Sequence, residues 1–147
     1  MAMLEGDACS YVAQVPSPRA VRMFTEVGRQ VLPHCTGVGK AIMSTMPDHE
    51  VRALLARTGM PALTPHTLTT PEAMQEGLDA VRRQGYAVED SEQELGVRSV
   101  AVPVRGLPFR AAISVSGPDS RVTLDGVPQI APDLQAVAEQ LRTAFGG

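Results

Sequence analysis

Two stretches of alternating side chains, VRSVAVPV and FRAAISVSG, flank the turn-forming sequence RGLP and predict an antiparallel β-hairpin. One face of this hairpin would be small and bear hydroxyls; its residues are Val97, Ser99, Ala101, Ala112, Ser114 and Ser116. The other face would be aliphatic; its residues are Val100, Val102, Val104, Ala111, Ile113 and Val115. A tight turn would set Val104 opposite Phe109 and would pair Ser99 with Ser114.

The two faces have different expected roles. The aliphatic face predicts core packed against helices. The serine face has two interpretations of about equal weight: a solvated sheet surface, or the wall of a cavity in which small residues leave room for a ligand.

The remaining chain predicts helices and further strands. Strands are expected over 9–16 and 22–32, and a short helix begins at Gly37. Helices capped by Asp48 and Thr70 end at Gly59 and Gly85, and a possible edge strand covers 121–127. The apolar stripe of a last helix is expected at Ile130, Leu134, Val137, Leu141 and Phe145. The fold class is therefore α/β (α+β), with a largely antiparallel sheet.

Composition excludes several classes of function. The 147 residues fit one domain, and their net charge of −3 with a single lysine, Lys40, argues against direct nucleic-acid binding. No apolar run is long enough for a bilayer, and no secretory signal is present at the start, so a cytoplasmic protein is expected. Cys9 and Cys35 are expected to be reduced thiols.

The stretch HCTGVGKA, 34–41, contains two glycines and a lysine but fits no phosphate motif. His34 stands where a P-loop needs glycine, and Ala41 stands where it needs Ser or Thr. His34 and Cys35 lack metal-ligand spacing to the other histidines, so no metal and no cofactor are expected. Ser114 lacks a nucleophile-elbow glycine, and no catalytic residue is assigned. The acidic run 89–94 is more typical of a solvated connector than of a site.

Three blocks taken in order, HCTGVGKAIMSTM, RRQGYAVEDSEQELGVRSVAVPV and AAISVSGPDSR, resemble the effector-binding domain of IclR-type transcriptional regulators. The resemblance runs from about Met23 to the C-terminal helix. It implies a GAF-like domain over 1–147, with a curved, mainly antiparallel sheet and helices on both sides. It also implies that operator DNA is bound only through an N-terminal winged helix-turn-helix domain, which this chain lacks.

The resemblance also implies an effector cavity near the start of the GVGKA helix. The residues that match its positions are Gly37, Val38, Glu89, Val97, Ser99, Ser114, Ser116, Met23 and Val31. Four of them already share one hairpin face by strand alternation alone; these are Val97, Ser99, Ser114 and Ser116. Lys40 is expected to face outward and to take no part in binding.

The implied function is that of a ligand sensor. Its partner would be a small organic or aromatic acid, with the carboxylate at the helix start and the apolar part against Met23, Val31 and Val97. Binding would shift the arrangement of a homodimer or homotetramer and so change operator affinity. The protein would not be an enzyme and would not bind a membrane. Two alternatives stay open: a small enzyme that uses Ser114 or Glu89 on a carboxylic acid, or a domain that only mediates assembly.

Overall fold

A computed structural model describes residues 1–20 and 26–146 of the chain. Its strands are β1 (Ala2–Glu5), β2 (Ala8–Tyr11), β3 (Gln30–Val31), β4 (Ala87–Asp90), β5 (Val97–Val104) and β6 (Ala111–Pro118). Its helices are α1 (Gly37–Met43), α2 (Asp48–Thr58), α3 (Pro71–Gln84) and α4 (Val127–Ala144). Within the described ranges, none of the helices has both the length and the apolarity of a membrane span.

The strands form one curled sheet in the order β3-β2-β1-β6-β5-β4. The paired neighbours are antiparallel throughout. Helix α1 packs directly on one face of the sheet, and α2 and α3 belong to the same hydrophobic core. Helix α4 packs on the other face. The predicted fold class, an α/β (α+β) domain with a curved antiparallel sheet between helices, is confirmed.

The two hydrophobic cores differ in side-chain size where they meet the sheet. On the α1 side the sheet presents alanines, and Ala87, Ala101 and Ala112 are almost completely buried there. On the α4 side it presents Val100 and Val102 to the helix. The small residues let α1 lie close to the strands, whereas α4 stands on larger aliphatic side chains.

Helix ends follow the sequence signals in most places. Thr70 caps α3, Pro71 takes its first position, and Gly85 ends it in the left-handed conformation with φ +85°. Helix α2 ends at Gly59 as predicted, but its N-cap is Pro47, and Asp48 is the first helical residue. A carboxylate in the first turn still favours the helix through its dipole.

The apolar stripe of α4 is rotated relative to the prediction. Its buried residues are Val127, Ala131, Leu134 and Ala138. Val137 and Phe145, which were expected on the core side, are 44% and 57% exposed. The prediction of these two positions was wrong because the buried stripe includes Ala131 and Ala138 and is therefore centred away from Val137 and Phe145.

The hairpin between β5 and β6 keeps its predicted faces but not its predicted register. Val104 lies opposite Ala111 rather than Phe109, so the pairing is shifted by two residues, and Ser99 faces Ser116. Phe109 instead packs edge-on against Phe145, with ring centroids 6.0 Å apart. The connection is therefore longer than RGLP, and because the shift is even, the alternation of the two faces is kept. Val115, which was expected in the aliphatic core, is instead 41% exposed and lines the cleft described below.

The other strand predictions hold only in part. Strand β1 was not predicted, and the strand expected over 9–16 ends at Tyr11, before two prolines that cannot donate to a ladder. Of the strand expected over 22–32, residues 21–25 lie outside the described ranges, and Gln30–Val31 forms the described part. The edge strand expected over 121–127 is wrong: turns after Pro118 lead directly into α4.

Candidate functional site

A cleft of about 850 Å³ opens where the start of α1 meets β4, β5 and β6. Seven of the nine residues proposed from the sequence line it: Gly37, Val38, Glu89, Val97, Ser99, Ser114 and Ser116. They come from four separate elements, so the fold brings together residues that lie up to about 80 positions apart along the chain. Val31 does not belong to the described lining; it is buried in the α1-side core. Met23 lies outside the described residues.

The three serines differ in their exposure along this wall. Ser99 is buried at 6% exposure, Ser114 is half-buried and Ser116 is exposed. The serine face is therefore not a uniformly solvated sheet surface. It runs from a buried inner end at Ser99 to an open outer end at Ser116.

The inner end is narrow because α1 begins directly against β5. A Cβ atom placed on Gly37 would lie 2.7 Å from Ser99 Oγ and 3.3 Å from Ala101 Cβ. Any side chain at Gly37 would thus push into the wall of the cleft. Glycine at this position lets the backbone approach the serine hydroxyl closely.

Glu89 contributes a carboxyl group to the same inner end. It lies opposite Ser99 in the β4–β5 ladder, and Ser99 Oγ donates to Glu89 Oε2 at 3.3 Å. The other oxygen, Oε1, accepts the backbone N–H groups of Glu92 and Gln93 at 2.8 and 2.9 Å. Burial raises the pKa of Glu89, and the neighbouring Glu92 raises it further, against the lowering effect of those N–H groups and of Lys40.

The acidic run 89–94 was predicted to be a solvated connector, which holds for Glu94 but was wrong for the buried residues of the run. Glu89, Ser91 and Glu92 are all buried, at 3%, 9% and 7% exposure. The Ser91 backbone adopts a positive φ of 56°, and its Oγ accepts the Gly96 N–H, which closes the loop tightly. Thr64 Oγ1 donates to the carbonyl of Ser91, so a neighbouring loop covers the run.

Lys40 was expected to face outward, and this was also wrong. It is 7% exposed, forms an ion pair with Glu92 and donates to the carbonyl of Val88 at 3.4 Å. A buried ammonium group requires such a partner because the free energy of removing a charge from water is high. Glu92 and Lys40 both lie outside the described lining of the cleft.

The end of β2 and the segment after it supply cleft residues that the sequence did not predict. Tyr11, Gln14 and Arg19 line the cleft from this side, and Arg121 lines it from the turn after β6. The prolines at 16 and 18 were the available signal, since they indicate a chain that leaves the sheet. The two arginines bring positive charge to a cleft that also carries Glu26 and, at its inner end, Glu89.

Three residues of the stretch HCTGVGKA make contacts that fix its position. His34 is fully buried, and its Nε2 lies 2.9 Å from the carbonyl of Pro61. Gly39 packs so closely on Pro33 that an added Cβ would lie 2.2 Å from the proline carbonyl oxygen. Thr36 caps α1 by accepting the Gly39 N–H at 3.2 Å. This stretch therefore fixes where α1 starts relative to the cleft.

The cysteines are buried and free, and burial raises the pKa of the Cys9 thiol to about 12 and of the Cys35 thiol to about 11. Such thiols are poor nucleophiles at neutral pH. The described lining of the cleft contains no histidine and no cysteine. In the described ranges, no group of three or more His, Cys, Asp or Glu side chains is placed to hold a metal ion. The described lining of the cleft offers hydroxyl, amide, carboxyl and guanidinium groups to a ligand.

Comparison with known proteins identifies matching sequences over nearly the whole chain. Residues 1–143 match the family model described as "Bacterial transcriptional regulator IclR C-terminal". The acetate operon repressor of Salmonella typhimurium is 35% identical over 139 residues, which are 92% of this chain and 50% of that protein. The chain spans about half the length of the curated relatives that it matches.

Solved structures match at the level of the fold. A transcriptional regulator of Rhodococcus sp. RHA1 superposes with a TM-score of 0.91 at 30% identity, over 98% of this chain and 60% of that one. The inducer-binding domain of the PobR transcription factor from Acinetobacter, as a double mutant in complex with 3-hydroxybenzoic acid, has a TM-score of 0.85 at 30% identity. That match covers 96% of this chain and 85% of the Acinetobacter chain.

Proposed function

Because this chain belongs to the IclR family of bacterial transcriptional regulators, as its C-terminal effector-binding domain, we propose that its cleft binds a small organic acid. The observation that carries this proposal is the cleft of about 850 Å³ whose wall combines Gly37, Glu89 and Ser99 at a buried inner end. Its size is in the range of small-molecule sites, which are typically about 300–1,000 Å³. The complex of the Acinetobacter relative with 3-hydroxybenzoic acid supports an acid as the ligand class.

The described lining suits an acid with an apolar body. Hydroxyl groups of Ser99, Ser114 and Ser116 can both donate and accept hydrogen bonds, and Arg19 and Arg121 bring positive charge to the cleft. Val38 and Val97 offer apolar surface between these polar groups. A hydroxylated or aromatic acid would use all three kinds of contact, and the same proposal extends to Met23 as an apolar contact.

In the whole regulator, we propose that the bound acid changes operator affinity. The 147 residues have a net charge of −3 and one lysine, so DNA contact would be made by a part of the regulator outside them. The effector would act by binding one arrangement of a homodimer or homotetramer more tightly than another. Sedimentation of this chain with and without a bound acid measures the assembly directly.

Calorimetric titration tests the site. Benzoate, 3-hydroxybenzoate and short aliphatic hydroxy acids are titrated into the wild type and into a variant with Ser99→Ala, Ser114→Ala and Ser116→Ala. The expected result is a loss of affinity of at least about tenfold, since three hydrogen-bonding groups at roughly 0.5–1.5 kcal/mol each are removed. Ser120→Ala, in an exposed turn outside the described lining, is the matched control.

The possible outcomes test two assignments separately: the serine residues as the binding site, and an organic acid as the ligand class. Equal affinities for the triple variant and the wild type would overturn the assignment of the serine wall. Absence of binding by every acid in the panel would overturn the ligand class.

A further inference from the structure

A buried ion pair joins α1, which carries Gly37, to the loop that follows Glu89. Lys40 Nζ pairs with Glu92 Oε1, and each side chain is only 9% exposed. Lys40 stands one turn along α1 from Gly37, which forms one wall, and Glu92 stands three residues after Glu89, which forms the other. The pair thus connects the helix that carries one wall to the loop that carries the other.

Glu92 is the centre of the hydrogen bonds that shape this loop. Its second carboxylate oxygen, Oε2, accepts the Asp90 N–H at 3.1 Å. Its own N–H donates to Glu89 Oε1 at 2.8 Å, and its carbonyl accepts from Thr67 Oγ1 at 2.6 Å. The side chain of Glu92 therefore holds the backbone conformation in which its own N–H reaches Glu89.

The position of the Glu89 carboxyl depends on that backbone conformation. Oε1 accepts from both Glu92 N and Gln93 N, and two such bonds fix the carboxyl so that Oε2 lies beside Ser99. If the loop loses its attachment to Lys40, the two N–H groups no longer have to converge on Oε1. Glu89 would then be free to adopt other rotamers in the cleft.

We propose that the Lys40–Glu92 ion pair is a positioning device for the effector site, which fixes Glu89 and Gln93 relative to the start of α1 without touching the ligand. This inference rests on the proposed function of the cleft. A buried ion pair is a weak contributor to net stability compared with apolar side chains of the same size, and its best-attested role is to fix one arrangement of neighbouring elements.

The test replaces both members of the pair with apolar side chains. Lys40→Met together with Glu92→Met leaves no unpaired buried charge, so the fold is expected to persist. Arg110→Met with Glu50→Met removes a partly exposed ion pair of 2.9 Å that lies outside the described lining, and serves as the matched control.

Amide hydrogen exchange, followed residue by residue by NMR, is the first measurement. In the double variant of the pair, the exchange rates of Glu92 N–H and Gln93 N–H should rise at least about tenfold, because local opening becomes easier. The amides of β5 and β6 should keep their wild-type rates. A purely structural role would instead raise exchange across the whole domain, through a loss of global stability.

The second measurement is the affinity for 3-hydroxybenzoate by calorimetry. Binding by the double variant should weaken at least about tenfold, and the control should keep the wild-type affinity. Unchanged exchange at Glu92 and Gln93 overturns the inference whether or not the acid binds. Faster exchange with unchanged affinity for an acid that the wild type binds also overturns it. If the wild type binds no acid, the proposed function fails, and exchange alone decides whether the pair positions Glu89.

Discussion

The two faces of the β5–β6 hairpin differ in side-chain size and in what they contact. On the α4 side, Val100, Val102 and Ile113 are packed against the helix in an apolar cluster. On the α1 side, Ala101 and Ser99 stand beside Gly37, and the strands continue past the helix into an open cleft. Large side chains exclude water from one face, and small ones create room on the other. The comparison indicates that Val100, Val102 and Ile113 contribute packing on the α4 face, whereas the α1 face combines core packing at Ala101 and Ala112 with the cleft.

The α1 side also carries groups on which stability depends, and the largest expected effect is at the buried ion pair. Lys40→Met alone leaves the Glu92 carboxylate buried without its partner. We expect a loss of roughly 3–5 kcal/mol in the free energy of unfolding, measured by urea denaturation. A loss of under about 1 kcal/mol would mean that Glu92 reaches water or takes up a proton instead.

The contact between α1 and the preceding turn gives the next largest effect. Gly39→Ala would place a methyl group 2.2 Å from the carbonyl oxygen of Pro33, which is backbone and cannot move aside. The expected destabilisation is about 3 kcal/mol or more. Gly77→Ala is the control within α3: its Cβ would meet Leu68 Cδ1 at an ordinary 3.7 Å, and the helix should gain about 0.5–1 kcal/mol. Thermal unfolding of the Gly39→Ala and Gly77→Ala variants measures both effects.

The sequence predicts the faces of the hairpin better than its register, for a physical reason. Alternation along a strand is local, so Ser99 and Ser114 could be assigned to one face from the letters alone. Register depends on where the connection ends, and Phe109 leaves the ladder to pack on Phe145, which is distant in sequence. The Gly6–Asp7 pair is a local turn signal that could have revealed β1. In the structure it forms the turn between β1 and β2, and Gly6 has a φ of +61°.

The electrostatics of the acidic run could not be predicted in the same way. Nothing in the sequence between 89 and 94 indicates burial, because charged residues are mostly exposed. The burial of Glu92 depends on Lys40, 52 residues earlier, and on Thr67 from a third segment. Only the fold brings these groups together, so the sequence could identify Glu89 as a candidate but not the partners that hold it.

A direct test of the two faces compares one substitution on each. Val102→Ala removes two methyl groups from the apolar cluster and should destabilise the domain by about 2 kcal/mol. Ser114→Ala, in the wall of the cleft, should change stability by no more than about 0.5 kcal/mol. Affinity for a bound acid should show the opposite order, with the serine variant weakened and the valine variant unchanged. Equal stability losses would contradict the division between the faces.

The smallest expected effect is a pH dependence that originates at Glu89. Because burial raises its pKa above the ordinary value of 4.5, the folded state holds the proton more tightly than the unfolded state does. Between 4.5 and the raised native pKa, stability therefore falls as pH rises, and above that range the loss is complete. Glu89→Gln removes this titration, so its stability relative to the wild type should increase across the same interval and then level off. The titratable groups that interact with this carboxyl are Lys40, Glu92, Tyr11 and Cys35. Urea denaturation of both proteins at a series of pH values measures the difference, and a difference that is constant from acid to neutral pH would show that Glu89 titrates normally in the folded protein.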